Sequence, residues 1–253
     1  MQNDQKNLGN LSLPCFSEDV FDAVEQKRAT LADATELVRI REVCESVAIQ
    51  WRWAKCLRCP FEPFALQKLG ASPGRLWISN ACGEAARHFR HGFDDSETLR
   101  VVIRTPVIHR GRKREDVTLY WQDGDDSFSA AWRDATNEFP DVGGCRLTRF
   151  QQALLKNGRV VSLTTTDENW RQHEAFTFHD NQLFASSCLC QQRDATVGGE
   201  FGLVQGPGYI GDYRYEYTGD ELSRIIRTCR DAVTNEPVGQ RQVAWQKRSR
   251  SSR

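Results

Sequence analysis

The sequence is poor in the features that announce a mechanism. No stretch approaches the roughly 18 consecutive apolar residues that a membrane-spanning helix needs. Residues Met1 to Leu13 are polar and lack the basic start and apolar run of a secretory signal. A cytoplasmic protein without a membrane partner is therefore expected. Net charge is also lacking: 34 Lys and Arg balance 34 Asp and Glu over 253 residues, with a pI near 6.9. Nothing global draws the chain to nucleic acid or to an anionic surface, so nucleic acid is not an expected partner. There is no GxxxxGK[ST], GxGxxG or GxSxG motif and no EF-hand loop. Gly198-Gly199 and Gly206-Pro207-Gly208 lack the Lys, Ser or following helix of a phosphate cradle. Nine scattered cysteines, an odd number, show no disulfide framework and are expected as thiols in a reducing compartment.

Hydrophobic residues make up 39% and aromatics 10%, enough for a packed core without cross-links. Ser17, Glu18 and Asp19 mark a helix start with acids at the positive end of the dipole. A second, longer helix is expected after Thr30 and Asp33, with Leu37, Ile40, Cys44, Val47, Trp51 and Ala54 on one face, ending near Cys59 before Pro60 and Pro63. Asn80 would cap a short helix, Ala81 to Arg90, closed by Gly92. From Thr98 the pattern changes to short runs rich in Val, Thr, Tyr and Phe, divided by turn pairs such as Asp123-Gly124 and Asn157-Gly158, as in successive antiparallel strands.

An internal repeat organises the second half. Phe176, Phe178, Leu183 and Cys190 recur 39 residues later as Tyr215, Tyr217, Leu222 and Cys229. Each copy reads as strand, tight turn and return strand, with turns at Asp180-Asn181 and Gly219-Asp220. This register sets Tyr217 opposite Leu222 and Tyr215 opposite Arg224. Over about a dozen residues, Tyr213 to Ile226 resembles the tyrosine-rich hairpins of YD-repeat proteins, which implies a hairpin and no function. The expected fold class is α+β: N-terminal helices followed by an antiparallel β-meander with a duplicated hairpin. Residues 1–95 would be mainly helical and 96–238 the sheet, with repeat copies at about 173–191 and 212–230. Residues 239–253 would form a basic, disordered tail.

Cys56-Leu57-Arg58-Cys59 is the one CxxC motif, a spacing that suits zinc or a redox pair if further ligands converge, and a buried helix face if they do not. The first hairpin register places His173 opposite Cys188, with Cys190 two residues on and on the same face. Cys56, Cys59, His173, Cys188 and Cys190 are thus the candidate metal ligands, with zinc the one cofactor they suggest and Cys229 able to complete a tetrahedron. A Cys-His nucleophile pair is an alternative without an evident oxyanion hole. The same cysteines also fit a second core layer. Glu84, His88 and His91 share a helical face but do not form HExxH. The basic run His109 to Arg114 reads as a solvated turn. With no complete catalytic set, and with Trp, Tyr and Arg abundant, the expected function is a non-catalytic module that binds another protein. A zinc- or thiol-dependent enzyme is the alternative, followed by a nucleic-acid-binding protein.

Overall fold

The structure, a computed structural model, describes residues 19–31, 34–54, 57, 59–70, 89–109, 112–134, 145–192 and 208–247. Two helices lead, α1 (Asp19–Thr30) and α2 (Ala34–Val47). Twelve strands follow in an antiparallel sheet whose spatial order is the chain order. They are β1 (Gln50–Ala54), β2 (Phe89–Phe93), β3 (Leu99–His109), β4 (Arg112–Asp123), β5 (Asp126–Asp134) and β6 (Cys145–Lys156), then β7 (Arg159–Asp167), β8 (Trp170–His179), β9 (Gln182–Gln192), β10 (Tyr209–Thr218), β11 (Glu221–Asp231) and β12 (Gln242–Gln246). A one-turn helix, α3 (Ala65–Lys68), lies between β1 and β2 in sequence. This is the expected α+β meander. None of the described helices is long and apolar enough to cross a membrane.

Strand alternation divides the sheet into two faces. On the outer face Val101, Val117, Leu119, Phe128, Ala130, Trp132 and Phe150 pack under the helices. Helix α1 presents Phe21, Val24 and Arg28 at helical spacing, and α2 presents Ile40 and Cys44. Buried Arg28 uses its guanidinium to donate to the Asp167 carbonyl at 3.1 Å, so its charge is hydrogen-bonded rather than stranded. On the inner face one cluster joins Leu99, Val102 and Tyr120 from β3 and β4 to Tyr215 and Ile225 from β10 and β11. Strands so far apart in order share a core only because the sheet curls.

The chain from Phe61 to Gly70 runs through this curl. Phe61 meets Tyr120 edge-on at 5.6 Å, and Phe64 meets Tyr215 at 5.6 Å. The segment thus touches both halves of the sheet and keeps water from the inner apolar surface.

Bulges increase the twist that the curl needs. The β8–β9 and β10–β11 hairpins each slip by one residue at the same place, skipping Phe184 and Ser223. The repeat is therefore structural as well as sequential. A third hairpin, β6–β7, skips Val161 in the same position although the repeated residues are absent from it. The first turn residue of each has positive φ: Asn157 at 51°, Asp180 at 53° and Gly219 at 60°.

Several expectations are corrected. The second helix ends at Val47 rather than near Cys59, because β2 offers a sheet edge: the Ile49 amide donates to the Phe93 carbonyl at 2.9 Å, and Gln50 to Ala54 pair as β1. Of the short helix expected over Ala81 to Arg90, the described part, Phe89 and Arg90, is strand; Glu84 and His88 lie outside the described residues, and His91 is buried in β2. Within the expected tail, Gln242 to Gln246 add β12 to β11. The Cβ contacts also recast Gly92, expected as a helix terminator. A Cβ there would come 2.7 Å from Val101 Cγ1, 2.9 Å from Ala48 Cβ and 3.0 Å from Trp51 Cη2. Gly92 is what lets the end of α2 close on the sheet. Gly92→Ala should lower the free energy of unfolding by about 1–3 kcal/mol in urea denaturation, the cost of overpacking; an unchanged midpoint would mean that this junction is loose.

Candidate functional site

The inner face carries polar chemistry as well as core. Beside the segment that fills the curl is a cavity of about 560 Å³, within the size range of small-molecule sites. Its apolar wall is Leu57, Leu66, Leu69, Phe89 and Val102, and its polar wall is Thr118, Tyr120, Ser129 and Gln151. The polar wall is pre-ordered: Ser129 Oγ donates to Gln151 Oε1 at 2.8 Å, and Gln151 Nε2 donates to Thr165 Oγ1 at 3.1 Å. Cys59 Sγ lies 3.8 Å from the same Gln151 oxygen. Burial, then the nearby Glu62 carboxylate, pushes the Cys59 thiol up to about 11. Burial likewise holds the Tyr120 hydroxyl well above its ordinary value. Both groups meet a ligand neutral.

Charged side chains gather at the cavity rim, and Glu62 and Glu168 line the cavity as well. Arg104 and Arg133 share Asp116 at 3.2 and 3.3 Å, and Arg149 is 3.9 Å from Asp167. These pairs are a quarter to a half exposed, so each is weak and exchangeable.

Deeper in the curl, Lys68 of α3 meets Glu174 of β8 in a bidentate pair, Nζ to the two carboxylate oxygens at 2.6 and 2.7 Å, with side chains 5% and 7% exposed. Glu62 stands 3.8 Å away. The ammonium also lies 5.3 Å from the ring centres of Phe176 and Tyr213. Burial alone would lower the Lys68 pKa, but Glu174, Tyr215 and Glu62 hold it above the ordinary value. Lys68 is a fixed cation and not a nucleophilic amine. Burial raises the Glu62 carboxyl against the pull of Lys68.

Of the expected ligands, His173 does not share a face with Cys188 and Cys190. Cys56 lies outside the described residues. Cys59 lines the cavity. The slip at Phe184 pairs His173 with Leu189, and Glu174 with Cys188. His173 therefore points outward, edge-on to Phe21 at 6.4 Å, with Nδ1 2.7 Å from Thr164 Oγ1, and burial lowers its pKa. Tyr215 likewise faces Ile225 rather than Arg224. Cys188 and Cys190 do share the inner face, with sulfurs 3.5 Å apart. Among the described residues no three His, Cys, Asp or Glu side chains converge as a metal site.

Lys68, Glu174, Tyr120 and Gln151 escaped the sequence reading. The one available signal for Glu174 is a carboxylate at period two from Phe176 and Phe178, on the side that a strand would bury. For Lys68 no local signal exists, since its partner is 106 residues away.

No protein-family model, curated protein or solved structure matches the chain.

Removing one charge of the Lys68–Glu174 pair strands the other in a dry interior. Lys68→Met should cost about 3–5 kcal/mol in urea denaturation, and Lys68→Met with Glu174→Leu should recover most of it. A double variant no more stable than the single one would show that the pair is not isolated from water.

Proposed function

We propose that this protein is a non-catalytic binding module whose ligand is a small amphipathic organic molecule held in the cavity of the curled sheet. The observation that carries the reading is the cavity's division of labour: an aliphatic and aromatic wall from Leu57, Leu66, Leu69, Phe89 and Val102 faces a neutral, hydrogen-bonded wall of Thr118, Tyr120, Ser129 and Gln151. Such a combination suits a ligand with an apolar body and one or two polar groups. The rim arginines would meet an acidic group on the ligand by exchanging Asp116 or Asp167.

The ionisable groups support binding over catalysis. Lys68 is held as a cation by Glu174, and the Cys59 thiol and Tyr120 hydroxyl are held protonated, so none of these three is poised to exchange a proton near neutral pH; the Glu62 carboxyl, raised by burial, is partnered by Lys68 at 3.8 Å. Where the sequence suggested a protein partner, the concave face favours a small one.

Anilinonaphthalene sulfonate, an amphipathic anion, serves as the probe. It should bind the folded protein one to one with enhanced fluorescence. Ala131→Phe, which fills the cavity, should weaken it by at least roughly tenfold (about 1.4 kcal/mol), while Val43→Ser on the exposed side of α2 should leave it unchanged. Binding that is indifferent to Ala131→Phe, in a variant with unaltered unfolding, would remove the cavity as the ligand site.

A further inference from the structure

Cys188 and Cys190 sit on β9 at period two, both buried, with their sulfurs 3.5 Å apart on the inner face. Their surroundings are selective. Tyr209 is the cross-strand partner of Cys190 and hydrogen-bonds to its sulfur. Cys188 has Glu174 opposite it on β8 and, on β10, Gly211, which brings no side chain. The space over Gly211 is taken by Tyr213 and by Arg227, whose Nε would lie 3.8 Å from a Cβ at that position. That Nε is buried and makes no hydrogen bond among the described residues. The Arg227 guanidinium lies 5.9 Å from the Tyr209 ring centre and 5.8 Å from that of Tyr213. The Cys188 thiol, donating to Cys190, lowers the Cys190 pKa, and Tyr209 and Arg227 add to this against burial and the Glu174 carboxylate, which raise it.

The spacing decides what these sulfurs can do. Alternate residues of a strand have Cα atoms roughly 6.7 Å apart, at the long end of what a disulfide spans, so direct S–S closure is disfavoured. Two bonds of about 2.3 Å to a shared atom span about 3.5 Å when they meet near 100°, and roughly 4.6 Å when collinear. The observed 3.5 Å matches the bent arrangement. A structural zinc would need two further protein ligands, and the described residues supply no third. Linear two-coordinate ions need the longer span. What remains is a soft centre that is bent, three-coordinate and content with two sulfurs and one oxygen.

We propose that Cys188 and Cys190 form a dithiolate site for a trivalent metalloid, arsenic(III) being the type, whose remaining oxygen faces Arg227 Nε and the Tyr209 hydroxyl. The exchange is redox-neutral. Arsenous acid loses two As–OH groups, the two thiols lose their protons, two As–S bonds form and two waters leave. The metalloid stays trivalent and keeps one hydroxyl, which accepts from Arg227.

The test uses the whole reduced protein titrated with arsenite and read by native mass spectrometry and calorimetry. One arsenic per chain is expected. Cys188→Ser and Cys190→Ser should each weaken binding at least roughly 100-fold, because the second bond of a chelate is intramolecular. Cys59→Ser and Cys229→Ser should leave it unchanged, and Arg227→Gln should weaken it severalfold at unchanged stoichiometry. Arsenic X-ray absorption on the wild-type complex, which depends on no variant folding, should give two sulfurs and one oxygen. No arsenic bound, three sulfur neighbours, or affinity unaltered in both serine variants would overturn the assignment. So would zinc or copper(I) binding through the same two cysteines in a protein that ignores arsenite.

Discussion

The ion pair between Lys68 and Glu174 is the interaction on which the interior depends. Carrying an ammonium and a carboxylate into a site with 5% and 7% exposure costs several kcal/mol per charge, and a bidentate contact of 2.6 and 2.7 Å is the geometry that offsets it. The pair ties α3 to β8, and the aromatic residues around it tie the same segment to the two halves of the sheet. Without something of this kind in the curl, the inner surfaces of β3, β4, β10 and β11 would face water. The pair adds specificity of position, since one register of the 61–70 segment brings Lys68 to Glu174 while Phe61 reaches Tyr120 and Phe64 reaches Tyr215.

The same constraint explains the division of the molecule's chemistry. The outer face is closed by α1 and α2 with apolar contacts and carries His173, half-buried and edge-on to Phe21. The inner face is closed incompletely by a short irregular segment, which leaves a cavity on the β3–β7 side and the thiols on the β8–β11 side. Bulges at Phe184, Ser223 and Val161 supply the local twist and decide which side chains turn inward. The proposed ligand sites thus lie where packing was left unfinished.

Much of the architecture was legible in the sequence. Helix α1, the change to strands after Thr98, the Asn157-Gly158 turn and the 39-residue repeat follow from capping, period-two patterning and turn residues, which are local properties. The register beyond the turns was not legible. A two-residue turn fixes the first pairs, Phe178 with Leu183 and Tyr217 with Leu222, and these hold. One skipped residue then exchanges the faces of everything further along, so Glu174 rather than His173 stands opposite Cys188. The helix expected to reach Cys59 stops at Val47 for another reason: Trp51 and Ala54 suit a helix face by spacing, but β2 competes for their backbone. Cys188 and Cys190 survived the slip as a pair because they lie on one strand, and no error of register separates residues two apart.

The interior depends on the 61–70 segment lying inside the curl, in contact with both halves of the sheet. Nuclear Overhauser spectroscopy on protein with labelled aromatic rings tests this most directly. Cross-peaks should join the Phe61 ring to Tyr120 and the Phe64 ring to Tyr215 in the same sample, as ring centres 5.6 Å apart require. A cross-peak to one half of the sheet and none to the other would contradict the account, because the segment would then cover an edge of the sheet and the cavity and the Lys68 pair would not be interior.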